Sequence, residues 1–167
     1  MTFTPDGRCE TAYTRQEPSA AVQSTVPSAA TLALAALGDT KNIPLLIQGL
    51  VDPDEVIRIA SARGLSFYKE ADTGEPFKKL LMSLDTMRTT ALIRAVVSAG
   101  WKPVGVLIEL ARSSDPEVAN TAIELLGDLT DSRAVEPLLG LLADPGPRNI
   151  GLIITALGKT RDPKAFE

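Results

Sequence analysis

DSRAVEPLLGLLADPGPRNIGLIITALG, residues 131–158, is the stretch whose reading decides the rest of the chain. Asp131 and Ser132 offer side-chain oxygens that can cap a helix, and Pro137 stands in its first turn, where its missing N–H would be unpaired anyway. Val135, Leu138, Leu139, Leu141 and Leu142 recur at helical spacing behind that start. The pair Asp144-Pro145 stops the helix, because proline donates no backbone bond and turns its predecessor away from helical geometry. A second apolar helix over about residues 148–157 follows, and Gly158 is expected to end it in the left-handed conformation. The stretch therefore describes two short helices and the turns around them.

Noisier versions of this hairpin lie upstream. Residues 39–51 place Pro44 early and Leu45, Leu46, Ile47 and Leu50 inward; Asp52-Pro53 turns the chain and residues 55–68 form the partner helix. In the next version residues 72–74 read as a turn, 75–84 as the first helix, Asp85 as the turn residue and 87–99 as the partner, stopped by Gly100. A third runs over 102–112, turns at Asp115-Pro116 and continues over 117–126 to Gly127. Residues 29–38 give a lone Ala/Leu helix ending at Gly38, capped by Ser28, and residues 159–167 start a fifth unit that stops inside its first helix. The turn aspartates Asp52, Asp85, Asp115 and Asp144 follow one another at 33, 30 and 29 residues, and Pro44, Pro76, Pro103 and Pro137 at 32, 27 and 34. A period near 31 with two helices per unit is the pattern of an α-solenoid, in which each hairpin buries its apolar side against its neighbours.

The motifs carry a family resemblance. ALGDTKNIPLLIQGLVDPDEVIRIASARGL and LLGDLTDSRAVEPLLGLLADP resemble the short HEAT-like repeats of bacterial and archaeal proteins, including those of phycobilin lyases. Asp52, Pro53, Ile57, Arg58, Ala60, Ala62 and Leu65 match the family pattern in the first copy, Met87-Arg88 in the second, Val118, Ala122, Leu126 and Gly127 in the third, and Asp144, Pro145, Ala156, Leu157 and Gly158 in the fourth. The resemblance implies an all-α fold, a right-handed superhelical α-solenoid of about four HEAT-like helix pairs. The expected organisation is a disordered leader over residues 1–27 and a repeat array over 28–167, truncated at the C-terminus.

Composition narrows the function classes. The 167 residues are 44% hydrophobic but only 4% aromatic, so Leu, Ile, Val and Ala must fill the interior. The formal charge of −4 disfavours a nucleic-acid partner, which needs a basic face. There is no histidine, which removes the commonest general base and zinc ligand, and Cys9 is the single cysteine. No metal set, glycine-rich phosphate loop or catalytic carboxylate pair is apparent: Asp52, Asp54 and Glu55 stand at a helix start, where they cap it, and Gly38, Gly100, Gly127 and Gly158 are each expected to end a helix. No run is long and apolar enough to cross a bilayer, and the expected location is cytoplasmic.

Without a catalytic constellation, the expected activity is that of a non-catalytic scaffold or regulatory module, with no cofactor, binding a protein partner through the concave face lined by the second helices. Aligning the copies puts Arg58, Ile59 and Arg63 beside Arg88 and Arg94, then Asn120 and Glu124, then Arg148 and Asn149. Such a row of arginines suits an acidic partner segment. The family resemblance implies a second reading of Arg58 and Arg88, as partners of turn aspartates in adjacent units, which leaves Arg63 and Arg94 free. Trp101, in the turn between the second and third copies, is either a binding hot spot or a plug for an irregular junction. The resemblance alone implies an alternative function, a bilin-lyase-like or chaperone subunit handling a tetrapyrrole.

Overall fold

The computed structural model describes residue 33 and residues 36–143 and 150–163. Among them are eight α-helices and no strand: α1 (Ile43–Gly49), α2 (Glu55–Leu65), α3 (Glu70–Met82), α4 (Thr86–Ser98), α5 (Val104–Leu110), α6 (Pro116–Leu129), α7 (Val135–Ala143) and α8 (Ile150–Thr160). Short 3-10 turns at Thr40–Asn42 and Ser132–Ala134 lead into α1 and α7. The leader expected over residues 1–27, the turn at Asp144-Pro145 and residues 164–167 lie outside the described residues, while Lys159 and Thr160, expected to open a fifth unit, are instead the end of α8.

Carboxylates start α2, α4 and α6, at Asp85 and Asp115 of the spaced turn aspartates but at Asp54 rather than Asp52 in the first copy. Asp54 accepts from the Val56 N–H at 2.8 Å to cap α2, and Asp85 accepts from the Arg88 N–H at 2.8 Å to cap α4. Asp115 accepts from the Glu117 N–H at 2.9 Å and the Val118 N–H at 3.4 Å to cap α6. Each satisfies a donor that a helix start leaves without an internal partner. Counting from these caps brings the copies into register. Ala62, Ile93 and Ile123 stand eight residues on, and Leu65, Val96 and Leu126 eleven; all six are at most 2% exposed.

The register produces two layers. The first helices lie side by side, α1 on α3 and α3 on α5, while the second helices form a row from α2 through α4 and α6 to α8. One continuous core runs between the layers from Ile43 through Leu65, Phe77, Ile93, Leu107, Ile123 and Leu138 to Leu157. The fold is thus all-α, an α-solenoid of about four helix pairs. Within the row, contact grows along the chain: α2 touches α4 sparsely, α4 meets α6 more fully, and α6 and α8 pack most closely of all.

Three local expectations are corrected. Residues 72–74 are not a turn, since α3 starts at Glu70 and runs through them. Glu70 and Asp72 in its first turn complement the helix dipole. Thr73 is fully buried, and Glu70 accepts hydrogen bonds from the Gly105 N–H and, at 2.9 Å, from Arg133, so packing against later units holds the longer helix despite Pro76 inside it. Gly127 and Gly158 do not end their helices either. α6 runs on to Leu129 and ends at Thr130 with φ 50°, and α8 ends before Arg161 with φ 53°. Gly127 is instead where α6 meets α8: a Cβ there would lie 2.7 Å from the Ala156 Cα. Gly100, at φ 99°, does end its helix segment as expected.

These two kinds of glycine give a paired prediction. Gly127→Ala forces a backbone shift at the α6–α8 contact; overpacking of this kind costs about 1–3 kcal/mol and outweighs the helix-propensity gain of about 1 kcal/mol. Gly140 in α7 has open space around it, so Gly140→Ala should stabilise by up to about 1 kcal/mol. Thermal unfolding followed by circular dichroism should show Tm falling for the first variant and rising for the second.

Candidate functional site

The sparse contact between α2 and α4 leaves a groove of about 510 Å³. Glu55, Arg58, Ile59 and Ala62 line it from α2; Arg88, Ala91, Leu92, Ala95, Val96 and Ala99 line it from the α4 side; Leu50, Val51 and Leu84 close it at the turns. Both rows follow helical spacing, so two helix faces form the walls. The groove exists because side-chain volume is missing. Where Ala62 stands eight residues after its cap, the next copies carry Ile93 and Ile123. Ala95 and Ala99, ten and fourteen after theirs, correspond in α6 to Leu125 and Leu129, which are 6% and 8% exposed. Those larger residues belong to the tighter part of the row; the alanines leave a gap.

The predicted arginines divide into tied and free. Arg58 is half-buried, and its Nη1 donates at 2.8 Å to the carbonyl oxygens of both Asp52 and Pro53. It therefore braces its own turn rather than pairing with an aspartate of the adjacent unit. Arg88 also turns to its own unit, reaching Asp85 only at 3.5 Å with 74% of its side chain exposed. A pair this exposed contributes little. Arg63 is exposed, and its side chain has no partner among the described residues. Arg94, expected to be free, is not: it binds Glu124 at 2.7 Å across the α4–α6 seam. Arg63, Arg94 and Glu124 each stand nine residues after their caps, so the first two positions of this row carry like charges and only the second finds a carboxylate.

Of the remaining candidates, Ile59 is 38% exposed on the groove wall. Asn120, on α6 one turn before Glu124, is half-buried with its Oδ1 unpartnered among the described residues. Arg148 and Asn149 lie outside the described residues. Trp101 is not an exposed hot spot. It is 3% exposed and its ring packs on Phe77 at a centroid distance of 4.7 Å and a tilt of 56°, filling the junction between the second and third hairpins.

The ladder between units expected at Arg58 and Arg88 is formed by other residues. Lys78–Glu109 at 2.9 Å, Arg94–Glu124 at 2.7 Å and Lys159–Asp128 at 2.7 Å each join residues one repeat apart. Thr86 donates to Asp115 in the same way. Opposite charges separated by 30 or 31 residues were the available signal. Hydrogen bonds that it donates to Glu75 and Glu109 hold the Lys78 ammonium above its ordinary pKa, and the bond to Asp128 does the same for Lys159. The Thr86 hydroxyl, followed by the two capping N–H groups, holds the Asp115 carboxyl below its ordinary value.

With respect to chemistry, the described residues contain no group of three or more Cys, Asp or Glu placed to hold a metal, and no helix among them is long and apolar enough to cross a membrane. HEAT repeats match the chain over residues 15–96 and 104–167. The chain belongs to the HEAT-repeat family. Among curated proteins none matches it significantly.

The lowered Asp115 pKa gives a signed prediction. The folded state binds this proton more weakly than the unfolded state, so the contribution is full above the ordinary value of 3.8 and is lost as pH falls through the lower folded value. Thr86→Val should therefore leave a shallower loss of Tm below pH 4 than the parent shows, with little difference in slope between pH 5 and 7, measured by thermal melts across that range.

Proposed function

We propose that this HEAT-repeat protein is a non-catalytic binding module that holds an acidic segment of a protein partner on the face formed by its second helices. HEAT repeats generally mediate protein–protein interaction. The observation that carries the finer reading is the contrast along one row: Arg94 is neutralised by Glu124, while Arg63 has no partner among the described residues and Arg88 has only a distant, exposed one. Arginine's planar fork matches a carboxylate with two parallel hydrogen bonds, and an unpaired fork on a surface of otherwise acidic balance selects acidic partners over basic ones. Ile59 and the groove beside these arginines supply apolar surface of the kind that anchors a bound segment.

Site-specific photocrosslinking in cells tests the face. A benzoylphenylalanine in place of Ile59 should give a discrete protein adduct that Arg63→Glu and Arg88→Glu together abolish without loss of helicity. The same group in place of Leu45, on α1, should not give that adduct. An adduct from position 45 alone, or one at position 59 indifferent to the charge reversals, contradicts the proposal.

A further inference from the structure

We infer that the groove between α2 and α4 is a docking slot for an amphipathic, acidic α-helix of the partner, which supplies the aliphatic side chains and carboxylate that α6 supplies to α4. This rests on the reading of the second-helix face as the binding surface and adds where on that face the partner sits and what it must carry.

The chain itself provides the template. At the α4–α6 seam, Leu125 and Leu129 are buried while the adjacent Glu124 takes Arg94 at 2.7 Å. A glutamate followed by leucines one and five positions later thus closes one seam of the row. At the α2–α4 seam the corresponding residues of α4 are Ala95, Ala99 and Arg94, so neither the aliphatic volume nor the carboxylate is present. What remains is an apolar gap of about 510 Å³ lined in part by Arg88, with Arg63, the residue after the lining Ala62, exposed and unpaired among the described residues. Aliphatic side chains spaced along one helix face enter such a gap between two helices. A carboxylate one position before them, as Glu124 is before Leu125, meets Arg63 at the register where Arg94 meets Glu124, and Glu55 near the other end of the groove sets the register by repelling an acid placed there. The occupant is therefore a helix with leucine-like residues on one face and an acidic residue flanking them.

The test uses the full chain and synthetic fluorescein-labelled 16-residue helical peptides. One carries Glu-Leu-x-x-x-Leu, a second has lysine for the glutamate, and a third has serine for the leucines. Fluorescence anisotropy should show saturable binding of the first peptide and, for the other two, affinities lower by at least about tenfold. Ala95→Trp, at an exposed position, fills the groove and should abolish binding of the first peptide; Arg63→Glu should weaken it by about tenfold. Ala91→Gln, also exposed and on the same wall, serves if Ala95→Trp melts early, and should weaken binding in proportion to the apolar surface lost. Equal binding of the lysine peptide, binding unchanged in a folded Ala95→Trp variant, or no binding of the acidic peptide overturns the inference. A crosslink at position 59 that persists in Ala95→Trp would leave the second-helix face standing while removing the groove from it, so the two failures are distinguishable.

Discussion

Mutual burial between neighbouring second helices is the contact from which everything else in this protein follows. In a repeat array each hairpin buries its apolar side against its neighbours, and Leu65, Val96 and Leu126, at one register in successive helices, all lie in the single core that runs through the stacked units. The aspartate caps Asp54, Asp85 and Asp115 set that register by deciding where each helix starts. Variation at the same register then sets how tightly each seam closes. Gly127 lets α6 and α8 approach until backbone nearly meets side chain, while Ala62, Ala95 and Ala99 leave the α2–α4 seam ajar.

Electrostatics follow the same geometry. A side chain in one unit finds its partner one repeat away because stacking places equivalent positions side by side, as in Lys78–Glu109, Arg94–Glu124 and Lys159–Asp128. These pairs are largely exposed and contribute modestly to stability, but they settle which cations are consumed and which are left for a partner. Glu70 has a wider reach. It accepts from Gly105 in the next unit and from Arg133 two units on, joining three hairpins at one carboxylate.

The architecture was legible in the sequence because its signals are local and repeated: capping aspartates, early prolines, and leucines at helical spacing. The corrections arise where a distant contact overrides a local preference. Asp72, Thr73 and Gly74 look like a turn in isolation, yet Thr73 is buried and Glu70 is tied to later units, so helix α3 absorbs them. Gly127 looks like a helix end, and its actual reason, the approach of Ala156, lies 29 residues further on. Arg58 and Arg94 both depart from their expected roles for a similar cause: the side-chain reach that brings Arg58 to its own turn carbonyls, and Arg94 to Glu124, depends on helix rotation that no short motif encodes. The row of second-helix residues could be aligned from sequence, but the groove required knowing that α2 and α4 stand apart.

The central claim is that stability is assembled seam by seam, so local opening should track how tightly neighbours pack. Native-state amide hydrogen exchange followed by mass spectrometry tests this most directly. The account predicts the strongest protection in α6 and α8, intermediate protection in α4 and the weakest in α2. Equal protection of all these helices, lost together in one global opening, would contradict it.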